Sequence, residues 1–333
     1  VFLKNGEKIA QVIDVRNDGV KYSKLDFGTA FGLLPEEPEI LGDIAIINWS
    51  KNGDKFLAKW TKEGKSDWIL VNVKNPEKSV DLTKVFLLDF SDIKLLSDAG
   101  DKMWGLEGGN LRAISVNNEN TVSGVLLSGV EKIDNNGSTV GYVRTSDKGV
   151  RTIGTYKEGE RSGATVRTVD DEKTEVSVLM GEFNGKKWIA YSIGNRVFVQ
   201  AGDYPSYGGT AGSLEMIAEN DIEFVPEKLF KGPKGRFASA FSDGKISVVD
   251  INLRQRWSYE VGDNVDEASW LDNYLLFAKS GDKIYSYDFN GENKREIADN
   301  ADDKAVALLT ENNRWIYFVV KSDTGNMLRR LRL

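Results

Sequence analysis

The residues with the most evident chemical potential sit in Tyr204-Pro-Ser-Tyr207-Gly208-Gly209. A tyrosine offers a flat apolar face with a hydroxyl at its tip. Two of them beside open glycine backbone would make a stacking platform for a sugar ring or a peptide. The competing and favoured reading is a long connection whose tyrosines pack down on a rim, because nothing else in the chain points at this loop. The glycines from Gly208 to Gly212, followed by SLEMIAEN, invite a phosphate cradle at a helix start. Without a P-loop lysine or G-x-G-x-x-G spacing, a plain connector explains them. Acidic groups at Glu36-Glu37, Asp170-Asp171-Glu172 and Asp302-Asp303 have the chemistry for acid/base work or calcium. None has calcium-loop spacing and all lie between repeat units, so solvated loops are expected there.

Composition removes whole classes of mechanism. The chain has no histidine and no cysteine, which excludes the Ser-His-Asp arrangement, thiolate metal sites and disulfides. No metal site and no cofactor are expected. The net charge of -7 comes from interspersed Lys, Arg, Asp and Glu, and it builds no basic patch for a phosphate backbone, so nucleic acid is not an expected partner. No apolar run approaches the roughly 18 residues of a membrane span, so this segment itself is not expected to touch a membrane, and a monomer is expected. Because the first residue is Val1, the chain reads as a processed or excised segment, with any anchor or signal lying upstream.

Positioning these residues calls for a repetitive β scaffold. Residues 44–74 contain three apolar runs, Ile44 to Trp49, Phe56 to Trp60 and Trp68 to Val73. An Asn-Gly turn and a charged, glycine-bearing loop separate them, the mark of an antiparallel meander. Segments like its second strand start near Lys8, Phe56, Met103, Thr139, Lys187, Arg236, Tyr274 and Trp315, at spacings of 36 to 49 residues. Most are preceded by a turn of the Asn-Gly type and followed by a further strand. A period of that size with three to four strands per unit selects a β-propeller.

The expectation is all-β: a single domain over 1–333 with eight four-stranded antiparallel blades. The last unit stops at its third strand, LRRLRL, so its fourth is expected from Val1 to Leu3 or residues upstream, and that arrangement makes seven blades the alternative. Nearly continuous apolar runs such as YLLFA and WIYFVV fit blades covered on both faces. Trp49, Trp60, Trp104, Trp188 and Trp315 are expected in the inter-blade core, with Trp68, Trp257 and Trp270 left open. Residues 201–235 break the rhythm as the longest insertion, and long loops on rigid scaffolds are where function concentrates.

Two repeats, WSKNGDKFLAKW with WILVNV and FLKNGEKIAQVI with VKYSKLDFG, resemble those of TolB-type, WD40-like β-propellers. ISVVDINLRQRWSYEV is instead similar to the repeat of quinoprotein propellers. Quinone-dependent oxidation is set aside, because only one copy matches and vicinal cysteines are missing. SWLDNYLLFAKSGDKIYSYDFNGENKREI resembles the propeller portion of membrane-anchored PEGA-domain proteins of host-associated bacteria. That likeness implies an extracytoplasmic, cell-surface propeller behind an N-terminal anchor. The resulting expectation is a non-catalytic binding module that contacts a protein or glycan through its loops, with Tyr204, Tyr207, Gly208 and Gly209 as candidate ligand-binding residues. The alternative is a hydrolase or lyase acting on glycans through Asp and Glu at the central channel, which needs no histidine.

Overall fold

The computed structural model describes residues 9–14, 21–33, 42–171, 173–208, 213–262, 265–302, 307–309, 314–322 and 325–332. Within them the regular structure is almost entirely β-strand, apart from two helices of four and five residues, Phe27–Ala30 and Leu82–Phe86, and a 3-10 turn at Pro76–Lys78. Besides one two-stranded hairpin, the strands form six four-stranded sheets and one three-stranded sheet. These are the blades of a propeller, numbered 1 to 7 in chain order: 43–81, 90–122, 130–169, 176–221, 228–260, 265–298 and 308–332.

Seven of the eight repeat markers are second strands of these blades, for example Lys55–Lys62 in blade 1 and Lys186–Ile193 in blade 4. The eighth, Ile9–Asp14, pairs only with Lys21–Asp26 among the described residues. The expected eight blades are thus corrected to seven. This hairpin repeats the second-and-third-strand pattern with no first strand among the described residues, and its local signals match those of a full unit. Val1 to Leu3 lie outside the described residues.

The turns show why these sequences form hairpins. Asn184 and Gly185 take φ of 50° and 76° between the paired residues Phe183 and Lys186. Two positive φ values in a two-residue loop define the type I′ turn, whose twist matches that of the strands. Register shifts of one residue recur where the first strand meets the second, at Ile46/Asn48, Phe90/Asp92, Val130/Lys132 and Val265/Glu267. Such bulges bend a strand and re-aim its side chains.

The chain divides into two compact units, one of 1–14, 20–148 and 157–163, the other of 15–19, 149–156 and 164–333. In the first, Phe56, Ala58, Trp60, Ile69 and Val71 of blade 1 pack with Ala10, Leu25, Phe27 and Phe31. The intervening residues Leu57, Trp68 and Leu70 face Phe90, Ile93, Met103 and Ile114 of blade 2, and the Trp68 indole donates to the Phe90 carbonyl at 2.6 Å. In the second unit, Ala238, Ala240, Val249 and Ile251 of blade 5 join Trp188, Val197 and Val199 of blade 4, whereas Phe237, Phe241, Ile246 and Val248 join Leu276, Ala278 and Tyr287 of blade 6. Each strand therefore feeds two cores, and this is the physical origin of the near-continuous apolar runs.

Trp60, Trp68, Trp104 and Trp188 are buried, and Trp257, Trp270 and Trp315 half-buried. Trp49, expected in the core, is 37% exposed. It ends a first strand, with its ring against Phe56 at 4.8 Å. No helix among the described residues is long and apolar enough to cross a membrane.

Candidate functional site

The expected insertion 201–235 contains the fourth strand of blade 4, Glu215–Asp221, and the first strand of blade 5, Lys228–Lys231. What stands outside the repeat is the connection between the third and fourth strands of blade 4, Arg196–Ala201 and Glu215–Asp221, of which residues 202–208 and 213–214 are described. Its base is fixed by three contacts. The Tyr204 hydroxyl donates to the Trp188 carbonyl at 2.8 Å, with the Gly181 carbonyl at 3.1 Å. The Thr155 hydroxyl donates to the Pro205 carbonyl at 2.8 Å. The Lys187 ammonium lies 5.9 Å from the Tyr204 ring.

The two tyrosines consequently differ. Tyr204 is half-buried and ties the connection to the blade, because the Trp188 and Gly181 carbonyls are within reach of its hydroxyl. Tyr207 is 55% exposed. Gly208 follows it with a φ of +70° and open space where a side chain would stand, and Gly209 lies outside the described residues. The paired platform read from the sequence becomes one anchor and one presented ring. A single exposed ring on a fixed base suits stacking on a sugar or a peptide side chain, since little freedom is lost on contact.

A second group, which the sequence reading missed, lies on the first strands of blades 2 and 3, Phe90–Leu95 and Val130–Asn136. These strands lie side by side, and the Asn135 amide donates to the Leu95 carbonyl at 3.0 Å. First strands border the channel of a propeller. Asp92, set at the bulge, makes an ion pair with Lys94 at 3.2 Å. Burial pushes the Asp92 carboxyl above the usual carboxylate range; Lys94 opposes the shift and the Asp134 carboxylate adds to it. The only sequence signal was the alternation Asp92-Ile93-Lys94, two charges inside an apolar strand.

The acidic groups read from the sequence are not gathered into a site. Asp170 and Asp171 are exposed. Asp171 accepts from the Thr174 hydroxyl at 2.6 Å and the Lys173 N–H at 2.9 Å, and these bonds, the hydroxyl first, hold its carboxyl below the usual range. Asp302 donates its N–H to the Val319 carbonyl at 3.1 Å. Glu36, Glu37, Glu172 and Asp303 lie outside the described residues. Among the described residues no three acidic side chains group as a metal site would require.

No protein-family profile and no curated protein matches the chain in sequence. Solved structures do match in fold. A chain from a crystal structure of a mitotic checkpoint complex superposes with a TM-score of 0.54 at 12% identity, covering 100% of this chain and 93% of that one. An oligogalacturonate lyase in complex with manganese superposes with a TM-score of 0.53 at 11% identity, covering 99% and 98%. At these identities the likeness extends to the β-propeller fold and no further.

Proposed function

We propose that this chain is a non-catalytic binding module that holds a protein or glycan ligand against the 202–214 connection of blade 4. The observation that carries the reading is the contrast between a base fixed by Tyr204 and Thr155 and a ring at Tyr207 that is 55% exposed. Rigid loops bearing exposed aromatics are where binding energy concentrates on such scaffolds. The likeness of residues 269–297 to the propeller portion of membrane-anchored PEGA-domain proteins supports an extracytoplasmic setting on a bacterial cell surface, with an anchor in the parent protein.

The test is a glycan and peptide array probed with the purified chain and with Tyr207→Ala. Binding by the wild type that falls about tenfold or more in the variant supports the reading, on the scale of a lost aromatic hot spot. Binding unchanged by the substitution overturns it.

The raised Asp92 carboxyl, which feels the charge of Asp134, supports a second reading, a carboxylate-dependent glycan hydrolase or lyase on the channel side. A perturbed carboxyl next to another is the arrangement acid/base chemistry uses. Turnover of oligogalacturonate or another glycan, abolished by Asp92→Asn, would replace the binding reading with this one. Absence of turnover across a glycan panel would dispose of it.

A further inference from the structure

Blade 7 differs from the other six at its outer edge. It consists of Leu308–Leu309, Trp315–Ser322 and Gly325–Arg332. In blades 1 to 6 a fourth strand covers the third, whereas among the described residues nothing pairs with the far side of Gly325–Arg332. That strand is fully paired on its near side, from Trp315 opposite Arg332 to Ser322 opposite Gly325, with no register shift. Among the described residues, one row of alternate N–H and C=O groups on this strand thus has no strand beside it.

Such edges are ordinarily blunted by proline, a bulge or short length. This one is eight residues long, unbulged and free of proline. Its only device is charge: Arg329, Arg330 and Arg332 are exposed beside Met327 and Leu331. Three cations within four residues make this edge locally basic on a chain whose net charge is -7. Arg330 lies 4.4 Å over the Trp315 ring, which holds its guanidinium close to the sheet. By the two-residue period, Met327, Arg329 and Leu331 share one face, and Leu328, Arg330 and Arg332 the other.

We propose that this edge binds an extended acidic peptide, which adds to blade 7 as its fourth strand through backbone pairing. By the same period, glutamates or aspartates of the peptide lie opposite Arg330 and Arg332 on one face, and its apolar side chains cover Met327 and Leu331 on the other. Opposite charges across a strand pair attract and like charges repel. The arginines thus select an acidic strand and disfavour a second copy of the same edge, which would set arginines near arginines. This surface is separate from the blade 4 connection, and the proposal stands without the binding reading given to that loop.

The probe is a fluorescein-labelled octapeptide alternating glutamate and valine, titrated against the purified chain by fluorescence anisotropy. A partner peptide with alternate backbone nitrogens methylated has the same charge but cannot pair along one edge. A lysine–valine octapeptide reverses the charge. The expected result is saturable binding of the first peptide alone, weakened about tenfold by combining Arg329→Glu, Arg330→Glu and Arg332→Glu. New hydrogen-exchange protection should appear at alternate amides of 325–332. Equal binding of the methylated or the lysine peptide overturns the proposal, as does no binding at all. It is also overturned if those amides are already protected in the free wild-type chain. Protection independent of concentration would assign the edge to the chain's own residues, such as 1–3, and concentration-dependent protection to a second copy. The peptide controls are run on the wild type, so the outcome does not depend on the folding of the triple variant.

Discussion

Replacing Arg236 with methionine should be among the most damaging single changes in blade 5, for a reason that can be worked out from one carboxylate. Asp250 is completely buried at the end of the third strand. Its side chain accepts four hydrogen bonds, from Arg236 Nε at 3.0 Å and Nη2 at 2.7 Å and from the N–H groups of Asn252 at 2.8 Å and Leu253 at 3.0 Å. The guanidinium in turn lies 5.0 Å from the centre of the Phe237 ring and 5.5 Å from that of Tyr274. Arg236→Met keeps the stem packing and removes two bonds and the only charge paired to Asp250 in this group. Stranding a buried charge costs about 3–5 kcal/mol. Asp250→Asn should cost less, about 1–3 kcal/mol, because the amide oxygen still accepts from the two N–H groups and Arg236, at 17% side-chain exposure, reaches water. The double variant should therefore be more stable than Arg236→Met alone, with a coupling of about 1–3 kcal/mol. Urea denaturation of the four proteins, compared by midpoint at a common slope, measures each quantity. A loss below about 1 kcal/mol for Arg236→Met, or simple additivity in the double variant, would refute the argument that the charge, rather than the packing, carries the stabilisation.

Three further outcomes are expected. Tyr204→Phe removes the hydroxyl that ties the connection to the Trp188 carbonyl, costing about 1 kcal/mol and speeding hydrogen exchange over 202–208, while an unchanged exchange rate would mean that the hydroxyl does not hold the loop. Gly181→Ala places a methyl carbon 2.2 Å from the ring of Trp188, whose indole is fixed by the Gly235 carbonyl at 2.8 Å; a thermal melt should show a loss of about 3 kcal/mol or more, partly recovered by adding Trp188→Phe. Asp92 has a folded-state pKa above its ordinary 3.8, so the fold prefers its protonated form. Its contribution is fully present below that ordinary value and is lost as pH rises through the folded value. Asp92→Asn should accordingly gain stability relative to wild type as pH rises across that interval, and a flat difference between the two proteins would contradict the assigned shift.

The repeat was legible because it is written in local chemistry. Asn184-Gly185 announces a turn that needs two positive φ values, and the segments on either side are apolar enough to be covered twice. The blade number was harder to read. Ile9–Asp14 and Lys21–Asp26 carry the same local signals as a second and third strand, and no short-range pattern states whether a first strand precedes them. The tyrosines of the 202–214 connection illustrate another limit. Tyr204 and Tyr207 stand in similar sequence surroundings, yet only the first has a hydroxyl within reach of the Trp188 carbonyl, sixteen residues away in the chain. The influence of Asp134 on Asp92 was invisible for the same reason, since it arises only through the lateral packing of two first strands. Trp49 was assigned to the core by residue type, but at the end of a first strand its ring lies against Phe56 and is left 37% exposed.

The division of each strand between two cores has a genetic consequence. Along Phe237–Ser242, odd-numbered positions such as Phe237 and Phe241 answer to blade 6, and even-numbered ones such as Ala238 and Ala240 answer to blade 4. Sequence neighbours on this strand should thus drift independently, while substitutions of equal parity constrain each other across the gap between sheets. Paired variants at Phe241 and Leu276 should show epistasis, whereas pairs at Phe241 and Ala240 should combine almost additively. A compensating change for a defect in one blade is then to be sought in the neighbouring sheet that its parity designates.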